Sequence, residues 1–254
     1  MWDESTGRLR VVDIGSREIH SIDPVSGAVE SVHATEKVTA IVPWQGDRWL
    51  AVFVRSIGEI DMATGAVEPL IDVPGPPDVP LNDAVCGRDG RIYVGSIDRA
   101  ERTRGALYAI DRTIAVSLVA ENMGAANGVD TSPDGTVVYA ADSYADTVSR
   151  GTGDPIAVPH PDGLTVDSVG HIWVALWGAG EVRRFDPLGR LERTVPVPVP
   201  NVTSVAFGGA HFETLFIATA RSAGMGLSGA VFQHRPGILG LAPARFGGGG
   251  RITG

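Results

Sequence analysis

Residues 129–143 read VDTSPDGTVVYAADS: an apolar-alternating run, a Ser-Pro-Asp-Gly turn and a second apolar run. Working outward, the same sentence recurs as VCGRDGRIYVGSI (85–97), TVDSVGHIWVAL (165–176) and VAFGGAHFETLFIAT (205–219). Each is a strand, a Gly-containing turn and a strand. A unit recurring at about forty residues is the signature of propeller blades. Just upstream of these units stand Asn82, Asn127, Asp162 and Thr203, all small and polar. A polar residue opening successive inner strands points those side chains to one end of a shared central channel.

Six such units can be counted, the first two being WDESTGRLRVVDI (2–14) and VTAIVPWQGDRWLAVFV (38–54). In RIYVGSI, Ile92 and Val94 face one way while Arg91 and Tyr93 face the other. A second formula, an apolar pair before Asp and a turn, marks the outer hairpins at 19–32, 57–70, 107–119 and 182–195. No window has a convincing amphipathic helix. The sequence predicts an all-β, six-bladed propeller forming one domain over 1–254, with 247–254 (GGGGRITG) as a frayed tail and 229–246 completing the last blade. The first blade is expected to be incomplete, because its motif starts at Trp2. The fourth is expected to be abbreviated, because Asn127 and Asp162 stand closer than the corresponding residues on either side. One strand there should be missing or irregular.

The 254 residues are 43% hydrophobic and carry a formal net charge of −9, with no basic run to neutralise phosphates. Nucleic acid is therefore excluded as a partner. No stretch approaches eighteen uninterrupted apolar residues and the first residues lack an apolar leader, so no membrane partner is expected. Cys86 is the only cysteine, which rules out an intramolecular disulfide and suits a cytoplasmic location. Unpaired edges in the first or fourth blade leave monomer and homodimer both open.

The runs NDAVCGRDGRIYVGSI, ANGVDTSPDGTVVYAADS, PDGLTVDSVGHIWVAL and TSVAFGGAHFETLFIAT resemble successive blades of the senescence-marker-protein/gluconolactonase/luciferin-regenerating-enzyme (regucalcin-like) family, from Trp2 to about Phe246. The resemblance implies a divalent metal at the top of the channel (calcium, zinc, magnesium or manganese) and hydrolysis of lactones or related cyclic esters. It implies Asn127 and Asp162 as metal ligands, Asp162 also as the catalytic proton acceptor, and Asn82 with Asp83 as substrate contacts. Two positions depart from the family pattern. The family's first-blade Glu would precede Met1, and the Arg two residues before its substrate-contacting Asn is Pro80 here. The nearest carboxylate, Glu4, lies in the turn after Trp2, on the wrong side of the motif.

Each candidate has a plainer reading. Asn127-Gly128, Asp162-Gly163 and Asn82-Asp83 could be turn residues. Thr203 and Ser204 line the channel or are structural. His160 stands before Pro161-Asp162 and could reach the rim, and Trp177 packs by default or walls the pocket. Ser143 has no paired His, and G-x-S-x-G is absent, which sets aside a serine hydrolase. The leading expectation is thus a metal-dependent lactonase. Its rivals are a non-catalytic propeller that binds a metal, a metabolite or a partner, and a natural protein whose start lies upstream with the Glu intact.

Overall fold

The computed structural model describes residues 1–247; the expected tail lies outside the described residues except for Gly247. Among the described residues, twenty-three strands form six antiparallel sheets, each running in chain order from the channel outward. Five sheets have four strands and the sixth has three. The chain is the six-bladed propeller that its repeats predict, and no helix appears among the described residues.

Period two explains how the blades hold together. In Ile172–Leu176 every residue is buried. Ile172, Val174 and Leu176 join Tyr139, Ala141 and Ile156 of the fourth blade. Trp173 and Ala175 instead join Val205, Phe207 and Leu215 of the sixth. Successive side chains leave opposite faces of a strand, so one apolar run serves two interfaces. Outer strands such as Leu191–Pro196 are mostly exposed. The apolar core therefore sits between blades, in wedges arranged around the channel.

The first blade's inner strand is a two-residue stub, Trp2–Asp3, paired with Arg8–Leu9 of the next strand. The fourth blade is abbreviated without losing a strand. Its outer strands Thr147–Arg150 and Gly153–Ala157 are joined by two residues, and their register slips between Val148 and Arg150. The three-stranded blade is the sixth: Val231–His234 is its last strand. Pro236 and Gly237 then turn the chain away, since proline cannot donate to a ladder.

From there, residues 236–247 cross the end of the channel opposite the inner-strand starts. The carbonyls of Pro236, Leu239 and Ala242 accept from Arg193 Nη1, the Ser168 N–H and Arg88 Nη2 at 2.6, 3.0 and 2.6 Å. Gly240 N–H donates to the Phe212 carbonyl at 2.8 Å and Phe246 N–H to that of Pro43 at 2.9 Å. Phe246 is buried in the core of the second and third blades. This crossing ties four inner hairpin turns together. At the seam between last and first blades, Trp2 stacks on Phe216 with centroids 5.6 Å apart.

Candidate active site

Four inner strands carry the same irregularity at the same end. In the third, fourth and fifth blades, the residue pairs Leu81/Ala84, Ala126/Val129 and Pro161/Leu164 lie opposite Ser96/Val94, Asp142/Ala140 and Leu176/Val174. Three steps on the inner strand thus match two on its neighbour. In the sixth blade, Val202 and Ser204 lie opposite Thr219 and Ala218. These are β-bulges, and an extra residue in a bulge is re-aimed away from the ladder. The residues inside them are Asn82-Asp83, Asn127-Gly128, Asp162-Gly163 and Thr203. The polar quartet of the sequence repeats is a ring of bulges.

Gly128 and Gly163 lie within strands, so the turn reading fails for both. They are glycines because neighbouring strands pass too close for a side chain. A Cβ on Gly128 would meet the Leu164 nitrogen at 2.3 Å, and one on Gly163 the Ser204 Cα at 2.7 Å. Asn82-Asp83 likewise lies within Leu81–Cys86. Proline opens the fifth inner strand at Pro161, a strand position where it costs no ladder bond.

Asn127 and Asp162 are neighbours across the two blades: Gly128, next to Asn127, packs against the Asp162 carbonyl, and the Asn127 amide favours the Asp162 carboxylate. Asn127 Nδ2 also donates to Ser143 Oγ at 3.1 Å, and Ser143 Oγ donates to the Pro161 carbonyl at 2.5 Å. Ser143 thus links the fourth blade to the fifth. Asn82 Nδ2 reaches the Ala126 carbonyl at 3.3 Å and links the third to the fourth.

Asp162 is half-buried within this ring of bulges. Burial, and then the charge of Asp83, push its pKa up to about 8, against the hydrogen bonds from Asn127 and the Gly163 N–H. Burial likewise raises Asp83 to about 6; the Ala84 N–H and the Met1 α-amino group oppose this, and Asp130 adds to it. The Met1 amino group, itself lowered by burial to about 6, donates to the Arg10 carbonyl at 3.0 Å. Asp130, one strand step deeper, is also raised, first by burial. Sequence reasoning singled out Asn82, Asp83, Asn127 and Asp162 and passed over Asp130, whose only signal was its place at the end of A-N-G-V-D.

The remaining candidates divide. Thr203 occupies the sixth-blade bulge, and Ser204 packs beside Gly163. His160 is an exposed rim residue in the left-handed region at φ 42°, with its N–H on Asp146 Oδ1 at 2.7 Å. Glu4 lies in the turn at the opposite end, lining a recess with Pro24 and Glu213. Trp177, the default packing residue, is 44% exposed.

No group of three or more His, Cys, Asp or Glu side chains placed to hold a metal is present among the described residues. Asn127 and Asp162 bring an amide and a carboxylate to matching bulges of adjacent inner strands. An amide and a carboxylate suit a hard cation that completes its shell with water or substrate. Among the described residues no ammonium or guanidinium pairs with the half-buried Asp162 carboxylate, which agrees with that fit.

Residues 1–221 match the family described as the SMP-30/Gluconolactonase/LRE-like region, and the chain belongs to that family. It is 30% identical over 246 residues to the pentonolactonase XacC of Haloferax volcanii, covering 90% of this chain and 83% of the relative. Regucalcin of Danio rerio is 26% identical over 239 residues, covering 87% and 81%. Among solved structures, a luciferin-regenerating enzyme superposes with a TM-score of 0.86 at 25% identity, covering 96% of this chain and 92% of the other.

Proposed function

We propose that this protein hydrolyses lactones in the bulge-lined end of its channel, with a divalent cation held by Asn127 and Asp162. The observation that carries the reading is that Asn127 and Asp162 stand at matching bulges of adjacent inner strands, joined through Ser143. Membership of a family that includes gluconolactonases, and a relative named pentonolactonase, support the substrate class. The oxygen donors favour calcium, magnesium or manganese over zinc.

When bound, the cation supplies Lewis acidity toward the lactone carbonyl and toward water. The chain's own residues do the rest. Asn82 and Asp83 bind and orient the ring from the third-blade bulge. Asp162, as carboxylate, takes a proton from water while the water oxygen adds to the carbonyl carbon. The ring C–O bond then breaks and that proton passes to the departing oxygen, giving a hydroxy acid. With its pKa near 8, Asp162 is mostly protonated at neutral pH in the cation-free protein; a neighbouring positive charge favours the working carboxylate.

The test is ring opening followed with a pH indicator, with and without a chelator. Activity that a chelator stops and calcium, magnesium or manganese restores is expected. Unchanged activity after chelation eliminates the mechanism. No opening of any lactone, together with retained cation binding, would favour a non-catalytic binder.

A further inference from the structure

The connections around the site end of the channel are unequal. Among the described residues, fourteen large apolar side chains are markedly exposed, and only two of them are aromatic: Tyr144 (38%) and Trp177 (44%). Both stand beside the site. Tyr144 follows Ser143, which holds Asn127 and the carbonyl before Asp162. The Trp177 backbone N–H donates to the His160 carbonyl at 3.0 Å, two residues before Asp162. The next connection around the ring, in the sixth blade, presents Met225 (48%) and Leu227 (57%). Asn201, just before the sixth-blade bulge, binds Ser222 of that connection at 3.0 Å.

Three neighbouring blades thus place an apolar and aromatic arc on one side of the mouth. The arc is held in place: Arg102 lies over the Tyr144 ring, 4.5 Å from its centroid. Across the mouth, Arg55 is spent on the carbonyls of Val73, Gly75 and Val79. Arg104 is spent on Asp78 and Asp98. Neither guanidinium is free to receive ring hydroxyls.

We infer that the preferred substrate is a lactone bearing an aliphatic or aromatic substituent, its ester over Asn127 and Asp162 and its substituent against Trp177 and Tyr144. This rests on the lactonase reading above. Continuity of the arc with the site identifies what covers it: exposed aromatic surface next to a reacting centre is stabilised by apolar substrate surface.

The test compares unsubstituted γ-butyrolactone, γ-lactones carrying alkyl chains, and a pentono-1,4-lactone, all with the full chain and added cation. We expect kcat/KM for the alkyl lactones to exceed that for γ-butyrolactone by at least about tenfold, the lower end for apolar pockets. Trp177→Ala should bring this ratio back toward one, while Leu188→Ala, exposed at the far end of the fifth blade, leaves the ratio unchanged. A pentonolactone preferred over the alkyl lactones, or a ratio untouched by Trp177→Ala, overturns the inference and leaves the lactonase reading standing. A chain that opens none of the panel loses both together.

Discussion

Asp130 Oδ2 accepts the backbone N–H of Val166 at 2.9 Å, so a carboxylate of the fourth blade closes a bond that the fifth blade's inner strand leaves open. The same oxygen receives Thr165 Oγ1 at 3.2 Å. This cross-blade contact lies just below Asn127 and Asp162 on the same two strands. It fixes how far apart the two strands stand.

Replacing Asp130 separates its two roles. Asp130→Ala strands the Val166 N–H inside the ring, a loss of about 1–3 kcal/mol. Asp130→Asn still offers an acceptor and removes a buried negative charge, so its stability should stay near the parent's. Urea denaturation measures both; equal losses would show that the charge, and not the acceptor, is what matters.

Asp162→Ala should remove the cation heat seen by calorimetry and lower kcat by about 10²- to 10⁴-fold, the range for a lost general base. Asn127→Ala should weaken cation binding while retaining a measurable rate. Cation binding by Asp162→Ala with parental affinity would move the site elsewhere.

The pH dependence of stability has a definite sign. Asp162 and Asp83 are held at about 8 and 6, above the ordinary 3.8. Between those limits the two carboxyls bind more protons in the folded chain than in the unfolded one, which outweighs the smaller opposite contribution of the Met1 amino group above about pH 6, so stability falls as pH rises. In a chelator, Tm should therefore be higher at pH 5 than at pH 8, by about 2–4 °C for each kcal/mol involved. Asp162→Asn should flatten the decline and added divalent cation should reverse part of it. A Tm that rises across this range in the cation-free protein contradicts the assignment.

Gly128→Ala forces a methyl against the Leu164 backbone. Overpacking of this kind costs about 1–3 kcal/mol, and here it also pushes apart the strands carrying Asn127 and Asp162. Tm and ring-opening rate should fall together. A stable variant with full activity would mean the two strands have slack that the geometry does not reveal.

The blade count was legible because period-two runs and Asp- and Gly-marked turns are local signals. Asp23 and Asp61, in the paired runs IDPVSGAV and IDMATGAV, each cap the following backbone N–H groups, as the turn formula requires. Asn127 and Asp162 could be found as positions, but a turn and a bulge spell the same Asn-Gly or Asp-Gly. Only the opposing strand distinguishes them. The role of Asp130 was hidden because its partner, Val166, contributes a backbone N–H that no side-chain pattern encodes. The three-stranded form of the sixth blade among the described residues was equally hidden. It depends on residues 236–247 finding four distant hairpin turns, which is a tertiary choice.

That crossing segment turns the channel into a cul-de-sac. With Phe246 anchored in the core and the backbone strapped over the far mouth, reactant and product share one doorway. On the lactonase reading proposed above, a hydroxy acid must depart before the next lactone arrives, so accumulated product is expected to compete with substrate.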